Sequence, residues 1–113
     1  MSVSLNILEE IKDDKVILRL EGRLDASSSP ILEGKLNELV GKKKNLLVDF
    51  SKVDYLSSAG MRLLLASTKK MKSAQGKLIF FSISDEVMEI IKMAGFERIL
   101  NICTNEQEAQ NAA

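Results

Sequence analysis

With 113 residues, 45% of them hydrophobic, the chain has the size of one domain and enough apolar matter for one core, hardly for two. Sixteen basic residues balance sixteen acidic ones, so no global field draws the protein to nucleic acid or to an anionic membrane surface, and any partner is met by local shape and local charge. Histidine is absent and cysteine occurs once, at Cys103, which removes the commonest general base, the commonest metal ligand and any internal disulfide.

The first segment, MSVSLNILEEIKDDK, is acidic from Glu9 and has neither a basic n-region nor an apolar h-region, so it does not read as a secretory signal. Apolar runs are a few residues long, far short of a membrane span. A soluble, cytoplasmic protein without membrane insertion is expected. Apolar and polar residues alternate from Leu5 to Ile11 and again from Val16 to Leu24, with the turn-like Asp13-Asp14 between them, the pattern of a hairpin. Ser27-Ser28-Ser29-Pro30 then offers capping residues and a proline suited to a first helical turn, Leu32, Leu36, Leu39 and Val40 recur at helical spacing, and Gly41 closes the helix.

Leu46-Leu47-Val48-Asp49-Phe50 is nearly continuous in apolar character, as in a strand covered on both faces. A loop is expected from Ser51 to Ser57, then a second helix marked by Met61, Leu64, Leu65 and Met71 and broken by Gly76. Leu78 to Ile83 repeats the buried-strand pattern. Val87, Ile90, Ile91 and Ala94 form the stripe of a third helix, with Ser84 as N-cap, Asp85 and Glu86 favourable to its dipole and Gly95 as its stop. Ile99 to Ile102 supplies a short last strand, and Glu106 to Ala113 reads as a frayed helix or tail.

No repeat, Pro/Gly-rich linker or low-complexity tract divides the chain, so residues 1–113 are read as a single domain. Strands alternating with helices predict the α/β class: a mixed sheet of about five strands, with a parallel core, an antiparallel hairpin at its start and flanking helices. Leu47, Leu64, Phe80 and Ile91 are expected in the core. In such a sheet the loops after the parallel strands share one edge, here Gly22 to Ser29, Ser51 to Ser58 and Ser82 to Asp85.

Functional residues are sought at that edge. Ser58 is expected at or just inside the N-terminus of the second helix, where free N–H groups and the helix dipole tolerate a phosphoryl group. On the residues alone, Ser57 or Ser58 is simply an N-cap, and Ala59-Gly60 are small residues that let the helix start close to the neighbouring strand. Asp25 faces the same edge, as a partner contact or as a turn residue. Arg62, one turn beyond Ser58, is placed to pair with a phosphate or a partner's carboxylate, or is a solvated helix charge.

Lys42-Lys43-Lys44 and Lys69-Lys70 with Lys72 lack interleaved aromatics and read as solvated faces, with no direct nucleic-acid contact. Gly41-Lys42-Lys43-Lys44 lacks the upstream glycine and spacing of a phosphate loop, so neither a nucleotide nor any other cofactor is expected. Cys103, without a basic cluster, reads as a small semi-buried hydrophobe. An enzyme using Asp25, Asp49 or Asp54 as general base would need a convergent constellation that the sequence does not display.

The run from Val48-Asp49-Phe50-Ser51 through Val53 to Ser57-Ser58-Ala59-Gly60 resembles the phosphorylation-site signature of the bacterial STAS-domain anti-sigma factor antagonist family. Gly22-Arg23-Leu24-Asp25 is similar to that family's turn after the second strand. Phe81-Ser82-Ile83-Ser84 and Met93-Ala94-Gly95-Phe96 are similar to its fourth strand and following helix, so the likeness spans nearly the whole chain. It implies that Ser58, two positions before Gly60, is the phospho-acceptor, with Ser57 as the alternative, and that Asp25, Ser57, Ser58, Gly60 and Arg62 meet a partner. One position departs from the pattern: Ser57 stands where the family usually carries Asp.

The resemblance further implies a non-enzymatic, phosphorylation-controlled switch, which when unphosphorylated binds an anti-sigma factor or switch kinase and frees the sequestered target. Its implied partners are an anti-sigma factor serine kinase of the histidine-kinase-like ATPase fold and a metal-dependent serine phosphatase. The alternative output is a STAS accessory subunit of a transporter or signalling complex that is never phosphorylated, which Ser57 in place of Asp favours.

Overall fold

The computed structural model describes residues 5–113; residues 1–4 of the expected domain lie outside the described residues. Two antiparallel strands, β1 (Leu5–Lys12) and β2 (Lys15–Leu24), pair from Leu5↔Gly22 to Lys12↔Lys15. The turn between them uses Asp13 at φ 58, a left-handed position that aspartate tolerates better than most residues. Helix α1 (Ser29–Leu39), β3 (Asn45–Leu56), α2 (Ser58–Ser73), β4 (Lys77–Phe81), α3 (Asp85–Met93), β5 (Asn101–Cys103) and α4 (Glu106–Ala112) follow. The sheet order is β1-β2-β3-β4-β5, and every pair after the hairpin is parallel. The expected mixed α/β sheet is therefore present.

Alternation along the central strands divides the core in two. Val16, Leu18, Leu46, Val48, Leu78 and Phe80 face α1, α2 and α3, which contribute Leu32, Leu36, Met61, Leu64, Val87 and Ile91. Ile17, Leu47, Ile79 and Phe81 point to the opposite face and pack with Ala109 of α4. Leu47, Leu64, Phe80 and Ile91 are all buried, as expected. Double coverage explains why β3 and β4 read as continuous apolar runs rather than as alternating ones.

The predicted loop from Ser51 to Ser57 is mostly strand. Pairing of β3 with β2 continues to Leu24↔Leu56 through two register shifts, between Arg19 and Glu21 and between Gly22 and Arg23. These irregularities bring Phe50, Val53 and Leu56 into the main core at a spacing of three, which a period-two pattern does not reveal. Gly22, at φ 124, supplies a backbone conformation that an L side chain rarely adopts. Two other strand ends also move. β4 stops at Phe81 instead of Ile83 because Ser82 turns to φ 57, and β5 starts at Asn101 instead of Ile99.

Of the expected frayed helix or tail, the helix is present: residues 106–112 form α4, which packs on a sheet face instead of fraying. Asn105 caps it by accepting the Glu108 N–H at 2.9 Å, and Lys77 Nζ donates to the Ala112 carbonyl at 2.9 Å. The main tether is Arg19, whose guanidinium meets three carboxylates from different elements. It donates to Glu10 of β1, to Asp49 of β3 at 3.0 Å, and to both oxygens of Glu106 at 3.0 and 3.2 Å. Bidentate, charge-assisted pairs of this kind fix geometry as well as contributing attraction.

Arg19 holds the Glu106 carboxyl below its usual value, with burial opposing, so the pair's support is full above the ordinary carboxylate range and is lost as pH falls through the lowered value. Glu106→Gln will melt below wild type at neutral pH, and the gap will close on acidification as the wild-type carboxyl takes up its own proton. A gap that stays constant with pH would mean that packing alone holds α4.

A Cβ on Gly60 would lie 2.7 Å from the Leu24 carbonyl oxygen and 2.9 Å from Leu56 Cδ1, whereas one on Gly34 meets nothing within 4 Å. Gly60→Ala should destabilise by about 1–3 kcal/mol through overpacking, while Gly34→Ala, inside α1, should stabilise by about 0.5–1 kcal/mol. Denaturant midpoints moving in the same direction for both would refute the close approach at Gly60.

Candidate functional site

The expected edge forms around the first turn of α2. The Ser57 N–H donates to the Leu24 carbonyl at 2.9 Å, which ties the end of β3 to the end of β2 just before the helix begins. Ser57 is the N-cap: its backbone is extended, at φ −86 and ψ 172, its carbonyl accepts the Met61 N–H at 2.8 Å, and its Oγ accepts the Gly60 N–H at 3.1 Å. Ser58 is the first helical residue and is exposed. Of the two serines, the half-buried one is therefore committed to the backbone and the other presents its hydroxyl outward. Serine and aspartate cap about equally well, so Ser57 in place of Asp keeps this geometry and removes one negative charge.

Asp25 lies in the turn that holds Leu24. Its Oδ1 accepts the Ser27 and Ser28 N–H groups, both at 3.0 Å. Hydrogen bonds from Ser28, foremost its backbone N–H, and from Ser27 hold the carboxyl below the usual value. Asp25 thus builds the turn beside the start of α2, and its half-buried carboxylate stays ionised at the edge. The cap of α1 differs from expectation: Ser28 occupies the N-cap position without making a side-chain cap bond, and the orphan N–H groups before the helix are met by Asp25.

Arg62, exposed on α2, lines two grooves that flank the helix start. One, of about 390 Å³, lies between α2 and the end of α3 and includes Ser57, Ser58, Met61, Ile90, Ala94 and Phe96. The other, of about 330 Å³, is bounded by Ala26, Pro30, Glu33 and Ala59. The structure therefore brings Asp25's turn, Ser57, Ser58, Gly60 and Arg62 to one end of the molecule. Gly60 itself is buried against Leu24, so its part is to allow that approach.

Some features of this end escape sequence reading. Arg23 stacks over Tyr55 with its guanidinium carbon 4.4 Å from the ring centroid, and its Nε lies 3.7 Å from Asp25 Oδ2. The two residues are cross-strand partners only because β3 extends past Ser51. Ile90 and Phe96 show as apolar positions in the sequence, yet nothing in their spacing indicates that they wall a groove beside Ser58.

The acids of the enzyme reading occupy separate environments. Asp49 is buried on Arg19 and accepts the Ser51 N–H at 2.8 Å, Asp25 holds its turn, and Asp54 is exposed. Cys103 is half-buried, and burial, with the Glu108 carboxylate, pushes its thiol up, away from the reactive thiolate. Among the described residues, no group of three or more His, Cys, Asp or Glu side chains is arranged to hold a metal ion. No helix among them is long and apolar enough to cross a membrane.

A family model for the STAS domain matches residues 6–109. BtrV of Bordetella bronchiseptica, named as a candidate anti-sigma factor antagonist, is 31% identical over 102 residues, which cover 89% of this chain and 87% of that protein. Among solved structures, an anti-sigma factor antagonist from Mycobacterium paratuberculosis superposes with a TM-score of 0.86 at 23% identity, covering 96% of this chain and 93% of that one. The Bacillus cell fate determinant SpoIIAA in its phosphorylated form superposes with a TM-score of 0.72 at 18% identity, covering 96% of this chain and 100% of that one. The chain belongs to the STAS-domain anti-sigma factor antagonist family.

Proposed function

We propose that the protein is a phosphorylation-controlled binding switch, which in its unphosphorylated form docks through the start of α2 and the Asp25 turn onto an anti-sigma factor that is also a serine kinase. Docking frees the sequestered sigma factor or other target, and transfer of a phosphoryl group to Ser58 ends it. The observation that carries this reading is the division of labour at residues 57 and 58: the Ser57 hydroxyl is engaged by the Gly60 N–H, and Ser58 is exposed at the first position of a sixteen-residue helix. A phosphoserine there would carry a charge of about −1.5 to −2 against the positive end of the helix dipole, so the free domain tolerates it.

The same charge works against docking. A partner that covers Ser58 has to strip water from the new anion, and an unpaired buried ion carries an effective penalty of several kcal/mol. The phosphorylated form of a structural relative supports the reading by analogy of fold. In this scheme the chain is substrate and ligand, not an enzyme. Its kinase has the histidine-kinase-like ATPase fold, a metal-dependent serine phosphatase restores it, and the exchange takes place in the cytoplasm. The reading as an unphosphorylated accessory subunit draws on Ser57 in place of Asp. Because the cap is kept, that substitution bears on charge near the acceptor and not on the acceptor's position.

Titration calorimetry against the kinase that co-purifies with the wild-type chain tests the proposal. Ser58→Ala should bind about as well as wild type, having lost a hydroxyl that water satisfies in the free state. Ser58→Asp should bind roughly a hundredfold more weakly, equivalent to about 2.8 kcal/mol, with its thermal melt unchanged. Equal affinities for the two variants would place Ser58 outside the contact surface. Recovery of membrane transport subunits without any kinase would favour the accessory role.

A further inference from the structure

Among the residues left unused by the switch, Ser28 stands out: it is polar, fully buried at 0% exposure, and lies beside the candidate site without reaching its surface. Its hydroxyl donates to the Arg23 carbonyl at 2.7 Å, with Asp25 Oδ1 3.2 Å away, and accepts the Asp25 N–H at 2.9 Å. The residues on either side of Leu24 are thus held by one oxygen. The Leu24 carbonyl between them accepts the Ser57 N–H at 2.9 Å, one step beyond the last β2–β3 pair, Leu24↔Leu56.

We propose that Ser28 is the positioning residue of the acceptor segment, acting through the Leu24 peptide to fix Ser57 and, with it, the place of Ser58 at the start of α2. The proposal deepens the switch reading and takes from it the identification of Ser58 as acceptor. Ser28 is inaccessible, so it cannot touch a partner, and whatever it does is done through the backbone it holds. Remove the hydroxyl and the Arg23 carbonyl and the Asp25 N–H both lose a partner in a place closed to water. The turn then relaxes, the Leu24 carbonyl is no longer held in line with the Ser57 N–H, and the acceptor segment is released from β2. The Asp25 carboxylate senses the substitution as well, losing the Ser28 Oγ contact at 3.2 Å directly and, as the turn relaxes, the Ser27 and Ser28 N–H groups with it.

The test is residue-resolved amide hydrogen exchange on the intact chain without any partner, comparing wild type with Ser28→Ala. Exchange at Ser57 should accelerate about tenfold relative to the amides of β4, as expected for local opening after loss of a buried hydrogen bond. The Asp25 carboxyl, followed by NMR, should titrate closer to the ordinary aspartate value. An acceleration at Ser57 no greater than that in β4, or an Asp25 titration unchanged, would overturn the proposal. Should Ser28→Ala fail to fold, Ser28→Cys keeps the volume close with a weaker donor and acceptor, and the same selective acceleration at Ser57, smaller in size, is required of it. Uniform acceleration in that variant would reduce Ser28 to general support of the fold. No binding measurement enters, so loss of the docking reading leaves this result standing, and the reverse holds as well.

Discussion

The β2–β3 ladder has to reach as far as Leu24 and Leu56, because the start of α2 hangs from its end. A ladder that stopped at the last clean pair, Arg19↔Asp49, would leave residues 51–57 as free backbone and the first turn of α2 without a fixed origin. Two register shifts let pairing resume, and at its far end the Leu24 carbonyl takes the Ser57 N–H. Close contact at that point requires a residue without a side chain at position 60 and a cap at position 57. The exposed hydroxyl of Ser58 is thereby presented from a segment anchored on both sides, by strand pairing before it and by a helix after it. Such anchoring lowers the ordering cost of docking a surface loop.

The sheet is covered unequally. Three helices bury one face, while α4, only seven residues long, covers the other with one buried alanine and a carboxylate on Arg19. A small residue suits this role because it lets the short helix lie close to Ile17, Leu47, Ile79 and Phe81. The Arg19 guanidinium, meeting carboxylates from β1, β3 and α4, joins the hairpin, the central strand and the C-terminal helix at one point. Asp49 is committed there, away from the grooves beside Ser58, which separates the group that stabilises this face from those that would meet a partner.

Much of this was legible in the residues, and the rest was hidden for identifiable reasons. Val16 to Leu24 and the stripe Val87, Ile90, Ile91 announce their elements by the spacing of their apolar residues, and Leu46 to Phe50 by a nearly unbroken apolar character suited to a strand covered on both faces. Val53 and Leu56 did not announce theirs, since a bulge changes the phase of the alternation and leaves a pattern that reads as loop. Glu106 to Ala112 has no stripe to read, because its single buried residue is an alanine and its main bond is a charge pair with Arg19, 87 positions away in sequence. At the site, the type of residue at 57 and 58 was readable but not their roles. A capping serine and an exposed one look alike until the Gly60 N–H chooses between them. Arg23 on Tyr55, and Ile90 and Phe96 beside Ser58, depend on registers and helix placements that no local pattern encodes.

Two adjacent serines are employed differently, one held by the backbone and one exposed at the helix start. Mass-spectrometric mapping of the chain recovered from the cells that produce it, and of the chain after incubation with the kinase proposed to bind it and Mg-ATP, tests most directly whether this difference sets the site of phosphorylation. A single phosphoryl group located on Ser58 is the predicted result; phosphate on Ser57, or none from a kinase that binds the protein, would contradict it.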